Sequence, residues 1–279
     1  MNGDKNNLEI YQIAYDSNSE NTFSDEVTIF DISSKNIPRY REINALKLFT
    51  ASKPWLRHKY TGLFSPRFYE KTLINYNQIN DFIAAEQDAD IYLFHPYPLE
   101  FSIANGFLDL AELEHPGMIN ALEDVWKNIF NADLPYVSCS KDTSLICHCN
   151  YFIASEKFWT SYSEFLESYW GMLTMGNNTL GDNTNYTLTK TKNNSLPLGV
   201  FAFERALSLF LKHNEEEFII KNYSDWDTEH VFPELFEREG EFVEAIKNTL
   251  YLYSKDKQVK IRENAIKYYY EVRKQFYGH

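Results

Sequence analysis

Cysteine, proline and glycine are scarce in this 279-residue chain, at 3, 9 and 10 residues. Three cysteines, Cys139, Cys147 and Cys149, are too few and odd in number to build a disulfide framework. So little glycine and proline excludes collagen-like, linker-rich and many-hairpin architectures. No apolar run reaches the roughly 18 residues that a membrane-spanning helix needs. The first residues, MNGDKNNLEIYQ, lack the apolar stretch of a secretory signal. The expectation is a soluble, cytoplasmic protein. G-x-S-x-G is missing, which leaves a Ser-His-Asp hydrolase without support. The phosphate-cradling G-x-x-x-x-G-K and G-x-G-x-x-G patterns are missing too, which disfavours P-loop NTPases and dinucleotide enzymes.

Aromatic residues are abundant: 21 Phe, 20 Tyr and 5 Trp, far more than a disordered chain carries and enough for a sizeable core. Forty acidic residues against 27 basic ones give a net charge of −13, a field that repels phosphate backbones and argues against nucleic-acid binding. Residues 254–279 reverse the sign, with seven Lys or Arg and three Asp or Glu. Within them Ile261, Ala265, Tyr268, Val272 and Phe276 share one helical face, flanked by Lys260, Lys267, Arg273 and Lys274. Such a basic, aromatic helix either packs on the domain with a solvated charged face or attaches to anionic lipid headgroups at the inner face of a membrane.

Strand-like runs alternate with helical segments over the first hundred residues. LEIYQIAY (8–15), VTIFDI (27–32), YTGLFS (60–65) and ADIYLFHP (89–96) read as strands, with helices after Pro38 and near Pro66. This pattern predicts an α/β fold, a mostly parallel, Rossmann-like central sheet flanked by helices. Residues 103–131 read as helix broken at His115-Pro116-Gly117, SLICHCNYFIA (144–154) as strand, and 156–173 and 199–213 as helices. The polar stretch 174–195 is too long for an ordinary connection and reads as a lid, binding loop or insert. The expected division is one domain over 1–235 with a helical C-terminal extension over 236–279 packed on it.

Ligands of open α/β sheets sit beyond the carboxyl ends of the strands. His95 and Tyr97 follow the strand 89–96 there, as site residues or as parts of a proline-stiffened loop. Asp88-Ala89-Asp90 has the spacing of a cation-binding pair but lies before its strand, where a solvated turn is the competing reading. Asp225-Trp226-Asp227, followed by His230, is a second such pair. Cys147-His148-Cys149, read in a strand, points its thiols to one face and its imidazole to the other, so core cysteines are favoured over a metal cluster. Glu204-Arg205 interrupts the apolar helix FAFERALSLFL and buries at least one charge, which demands a partner or ligand. Glu204 there is a candidate base, or half of an internal ion pair.

YTGLFSPRFYEKT (60–72), DADIYLFHPYP (88–98), EHPGM (114–118), CNYFIASEKFW (149–159) and FAFERALSLFL (201–211), in this order, resemble bacterial GT-A-type glycosyltransferases of capsule, O-antigen and lipopolysaccharide biosynthesis. The resemblance implies a nucleotide-sugar donor, a polysaccharide or lipid-linked glycan acceptor, and work at the cytoplasmic membrane face. By position it implies that Tyr15 and Asp16 approach the base, and that Lys59, Tyr60, Ser65 and Lys71 lie near the donor. The resemblance implies further that Asn150 and Tyr151 contact sugar or acceptor, that Glu204 is the base, that Arg205 holds Glu204 or the donor, and that His95 and Tyr97 stand where the family has its metal-binding carboxylates. HPYP replaces those carboxylates, so a divalent cation, Mn²⁺ or Mg²⁺, is left open, with basic side chains as its substitute. The competing functions are a glycoside hydrolase, which needs a pair of carboxylates, and a non-catalytic glycan-binding or assembly protein.

Overall fold

A computed structural model describes residues 6–17, 22–95, 106–138, 142–175, 179–181, 183–185 and 195–223. Its centre is a six-stranded sheet. In chain order the strands are β1 (Asn6–Ala14), β2 (Thr28–Asp31), β3 (His58–Phe64), β4 (Ile91–Leu93), β5 (Phe152–Ser155) and, past a two-stranded ribbon, β8 (Ile220–Asn222). The spatial order is β2-β1-β3-β5-β4-β8. β1 pairs in parallel with both β2 and β3, and β4 with β8, while β5 runs antiparallel to β3 and β4. Five strands therefore point one way and one is reversed, the mostly parallel, Rossmann-like sheet that the sequence predicts.

The helices follow the apolar periodicity closely. α1 (Arg41–Ser52) connects β2 to β3, and α2 (Phe68–Thr72) and α3 (Tyr76–Ala85) connect β3 to β4. The single helix expected after Pro66 is two, because Leu73 turns left-handed and Asn75 opens a new helix through a capping box with Gln78. α4 (Phe107–Glu114) and α5 (Met118–Phe130) part at His115-Pro116-Gly117 as expected, and Gly117 adopts φ 92° there. α6 (Glu156–Thr174) and α7 (Leu198–His213) complete the set. Part of the polar stretch forms the ribbon: β6 (Asn183–Asn185) pairs antiparallel with β7 (Ser195–Pro197). The helices expected after residue 240, the basic stretch 254–279, Asp225-Trp226-Asp227 and His230 lie outside the described residues.

One expectation fails. Residues 144–154 are not a single strand: β5 begins only at Phe152, and before it Cys149 and Asn150 both take left-handed backbone, at φ 62° and 52°. Cys147 and Cys149 are buried nonetheless, as core cysteines. The alternation argument that reached this outcome does not apply to a turn.

Aromatic side chains fill both faces of the sheet. On one, Trp55 stacks on Trp159 with ring centroids 5.4 Å apart, and the Trp159 indole N–H donates to the Thr61 carbonyl at 2.8 Å. On the other, Phe64 stacks on Phe68 at 4.0 Å beside Tyr151. β3 and β5 approach so closely at Gly62 that a Cβ there would meet Ile153 Cγ1 at 2.7 Å and the Phe152 carbonyl oxygen at 3.2 Å. Gly62→Ala is therefore expected to cost about 1–3 kcal/mol by overpacking. That corresponds to a midpoint lowered by roughly 3–10 °C in thermal denaturation; an unchanged midpoint would show that the strands part freely.

Candidate active site at the carboxyl edge of the sheet

From β1 the chain moves outward to β2, and from β3 it moves the other way, toward β5, β4 and β8. Connections leaving adjacent parallel strands in opposite directions open a crevice between them, where ligands of such sheets bind. A cavity of about 460 Å³ lies there, within the roughly 300–1,000 Å³ of small-molecule sites. Tyr15 follows β1; Asn36 and Pro38 follow β2; Ser65, Pro66 and Arg67 follow β3. Arg41, Glu42 and Ile43 come from the first turn of α1, Lys71 from α2, and Val200, Phe203 and Glu204 from α7. Asn150 enters from the turn that leads into β5.

Glu42 is the electrostatic centre of this cavity. It keeps part of its surface open, but protein encloses its carboxyl, and burial pushes the carboxyl up to about 7. The charge of Glu204 adds to that rise, while Lys71, the nearby Ser65 hydroxyl and the charge of Arg41 oppose it. Lys71 Nζ also donates to Cys149 Sγ at 3.2 Å, and burial keeps that thiol protonated, pushed up to about 12. Burial raises the Tyr15 hydroxyl as well, with Glu42, Arg41, Lys71 and Glu204 all within electrostatic reach. Arg67, exposed at the rim, makes a two-pronged bond to Glu70 at 2.6 and 3.0 Å.

Asn150 is 3% exposed and lines the cavity, yet among the described residues its Nδ2 has no hydrogen-bond partner. Its Oδ1 receives a 3.5 Å bond from the Tyr162 hydroxyl. A buried amide N–H without an acceptor costs about 1–3 kcal/mol, and two successive left-handed residues add strain of similar size. Both features are typical of a backbone held for a ligand rather than for stability.

The structure brings most of the sequence-derived residues to this edge, but not all. Tyr15, Ser65, Lys71, Asn150 and Glu204 line the cavity. Asp16 follows Tyr15 as an exposed residue. Tyr151 stands behind the wall, its hydroxyl 2.7 Å from Ser65 Oγ. Arg205 is buried behind Glu204, donating to the Phe201 carbonyl at 3.1 Å and lying 3.5 Å from the Glu204 carboxylate. The charge that α7 buries is thus the guanidinium, while Glu204 opens to the cavity. His95 ends up buried beside His148, whose backbone N–H donates to His95 Nδ1 at 3.3 Å, and it does not line the cavity. Burial and the nearby Arg205 charge push His148 well down, and His115 to about 3.

Lys59 and Tyr60 lie at the other end of β3. They begin β3, about 20 Å from Ser65 at ~3.3 Å per strand residue, where Lys59 faces Asp88 at 3.6 Å and Tyr60 packs on Tyr92. Asp90, from the Asp88-Ala89-Asp90 pair, binds Lys157 Nζ at 2.9 Å and the Ile219 N–H at 3.0 Å, and so ties the amino edge together. Tyr97 lies outside the described residues. Glu42, absent from the sequence-derived set, occupies an ordinary amphipathic helix start; its only signal is a position just past the loop that follows β2.

The two cavity carboxylates do not fit a divalent cation. Among the described residues no third His, Cys, Asp or Glu joins them, whereas Mg²⁺ takes about six oxygen ligands. Lys71 and Arg41 bring charge of the ion's own sign into the same space.

No family model matches the chain, and no curated protein does. Among solved structures it is similar to "WbbM bifunctional glycosytransferase apo structure", at 12% identity and a TM-score of 0.49 over 78% of this chain. It spans 44% of that protein's length, and at this level the likeness says nothing about activity.

The Glu42 carboxyl makes stability depend on pH in a defined sense. Its folded value lies above the unfolded one, so the folded state binds the extra proton between about pH 4.5 and 7. Stability then falls as pH rises through that window, by up to roughly 3 kcal/mol. Glu42→Gln is expected to raise the thermal midpoint at pH 8 and to change it little at pH 4. An equal effect at both values would show that Glu42 titrates as an ordinary carboxyl.

Proposed function

We propose that the protein is a glycosyltransferase that takes a sugar from a nucleotide-sugar donor and places it on a hydroxyl of a polysaccharide or lipid-linked glycan. The observation that carries this reading is one cavity, at the switch point of a mostly parallel sheet, in which a carboxyl raised to about 7 stands beside Lys71 and Arg41. A base with that proton affinity is suited to an acceptor hydroxyl near neutral pH. The acceptor oxygen attacks the anomeric carbon as its proton passes to Glu42. The bond to the diphosphate breaks, and the leaving group keeps the electron pair. Lys71 and Arg41 stabilise the charge that develops there, the electrostatic work most such reactions depend on.

Glu204, the base suggested by the sequence, faces Glu42 and helps keep its proton affinity high. The Asn150 side-chain N–H, without an acceptor among the described residues, is suited to a sugar oxygen, and Val200, Phe203, Ile43 and the two prolines give a ring an apolar wall. The acceptor class and a place at the inner membrane face follow from the sequence resemblance and the basic residues 254–279, whose charge suits anionic headgroups.

One observation favours a second reading. Glu42 and Glu204 supply in one cavity the pair of carboxylates, one with raised proton affinity, that a glycoside hydrolase uses. The cations beside them favour a diphosphate leaving group over a plain glycoside, so transfer is preferred.

The test is a thermal-shift screen with UDP, GDP, CMP and dTDP and their sugar conjugates, followed by transfer assays with the conjugate that binds. A ligand of the folded state raises the midpoint by mass action. Glu42→Gln should keep the nucleotide shift and lower transfer at least about 100-fold, and Lys71→Met should weaken the shift itself. Unimpaired transfer by Glu42→Gln would remove it as the base. Sugar release from glycans with no nucleotide response would turn the assignment to hydrolysis.

A further inference from the structure

The segment that joins β2 to α1 has two faces. Its backbone is extended at Ile37, with φ −113° and ψ 93°, and side chains on extended backbone alternate in direction. Asn36 and Pro38 line the cavity. Lys35, Ile37 and Arg39 do not, and all three are exposed, Ile37 to 43%. Hydrogen bonds hold the segment in place. The Lys35 N–H donates to the Ile32 carbonyl at 2.8 Å, and Asn44 Nδ2 donates to the Lys35 carbonyl at 3.1 Å. Asn36 Nδ2 donates to the Tyr15 carbonyl at 2.9 Å, and the Tyr40 N–H to the Ile37 carbonyl at 2.9 Å. The outward face is therefore preformed beside the mouth of the cavity.

Its chemistry is that of a surface made for an anionic, partly apolar partner. No acidic residue stands between Asp31 and Glu42, and the Asp31 carboxylate accepts from the Ser33 N–H at 2.8 Å. Among the described residues Lys35 and Arg39 have no ion-pair partner, whereas Lys47 is matched by Glu167 and Arg67 by Glu70. The Arg39 guanidinium lies 5.9 Å from the centre of the Tyr40 ring, and Tyr40 meets Trp170 of α6 edge-on at 5.0 Å. Both rings keep part of their surface open. Free cations, an exposed branched side chain and amphipathic rings are what the headgroup layer of a bilayer accommodates: the apolar parts reach the acyl boundary while the cations meet phosphates. A dissolved anion would satisfy Lys35 and Arg39 but leave Ile37 in water. The net charge of −13 does not prevent contact, since it is screened beyond about 8 Å at physiological salt.

We propose that Lys35, Ile37 and Arg39, with Tyr40 and Trp170 beside them, dock the protein on an anionic lipid bilayer, with the mouth of the cavity turned toward it. The inference goes beyond the transfer reading and does not depend on it, because binding to a bilayer needs no nucleotide sugar. It is also separate from the basic residues 254–279: this surface belongs to the folded sheet domain and adjoins the cavity itself.

The test is flotation of the full chain with vesicles of phosphatidylcholine plus phosphatidylglycerol, and with phosphatidylcholine alone. The expected result is binding to the anionic vesicles that weakens as salt is raised, and little binding to the neutral ones. The double variant Lys35→Glu, Arg39→Glu should lower vesicle affinity at least about 10-fold. Ile37→Asp should lower it about 3–10-fold. All three side chains are exposed, so the thermal midpoints of these variants should stay close to the parent value. Vesicles with brominated acyl chains should quench tryptophan fluorescence, and Trp170→Phe should remove most of that quenching. Absence of binding by the parent, equal binding to neutral vesicles, or affinity and quenching unmoved in the variants would each overturn the proposal. The nucleotide screen is run on the same proteins. Vesicle binding through this face with no nucleotide response would uphold the surface and overturn the transferase reading; a nucleotide response without vesicle binding would do the reverse.

Discussion

β1 and β3 lie side by side in parallel while the chain leaves them in opposite directions, and the carboxyl edge of the molecule is organised by that divergence. Loops that separate cannot cover the ground between them, so a cavity opens over the strand ends. α1 starts at its edge, which presents the positive end of a twelve-residue helix together with Arg41 and Glu42. α7 closes the far side with Val200, Phe203 and Glu204. The reversed strand β5 matters as much. Because it runs against its neighbours, the turn that precedes it arrives at the same edge and delivers Asn150 and Tyr151.

That turn carries strain, and the surrounding contacts hold it. Cys149 and Asn150 in left-handed backbone cost on the order of 1–3 kcal/mol each. The Cys147 N–H donates to Ser208 Oγ at 2.9 Å, and the His148 N–H donates to His95 Nδ1 at 3.3 Å. α7 and the end of β4 thereby fix the turn from two sides. His95 so serves an identifiable purpose away from the cavity: as a hydrogen-bond acceptor it stays neutral on the nitrogen that faces His148. Arg205, buried nearby, disfavours a proton on either His148 or His115. One buried cation is thus surrounded by imidazoles kept uncharged, and its compensation comes from the Phe201 carbonyl and from Glu204.

Much of this was legible in the sequence wherever the signal is local. Apolar runs marked β1 through β4, the three- and four-residue steps of Phe158, Tyr162, Phe165 and Tyr169 marked α6, and Pro116-Gly117 marked the break between α4 and α5. The turn at Cys149 was not legible, since cysteine carries no preference for left-handed backbone and SLICHC has the composition of a strand. The pair at Asp88 and Asp90 could be discounted from its side of β4 alone. Glu42 could not be found, because its character comes first from burial and then from Lys71, Glu204 and Ser65, which are remote in sequence and meet only when β1 and β3 are paired. Lys59 and Tyr60 lie away from the cavity for the converse reason. They share a quoted segment with Ser65, but a seven-residue strand puts its two ends on opposite edges of the sheet.

The charge distribution ties these parts together. A chain with net charge −13 repels an anionic ligand at long range, yet it gathers Arg41, Arg67 and Lys71 around one cavity and buries Arg205 behind it. Beyond a Debye length of about 8 Å at physiological salt the net charge is screened, so capture is decided by groups within the cavity. There the cations are not equivalent. Arg67 at the rim is matched by Glu70, whereas Lys71 hydrogen-bonds a thiol that stays protonated and shares its field with a carboxyl that is only partly ionised near pH 7. An arriving diphosphate would raise the proton affinity of Glu42 further, and Lys71 would lower it. The two effects act on the same carboxyl through the same few ångströms, so charge on the ligand and readiness of the base are physically linked in this cavity.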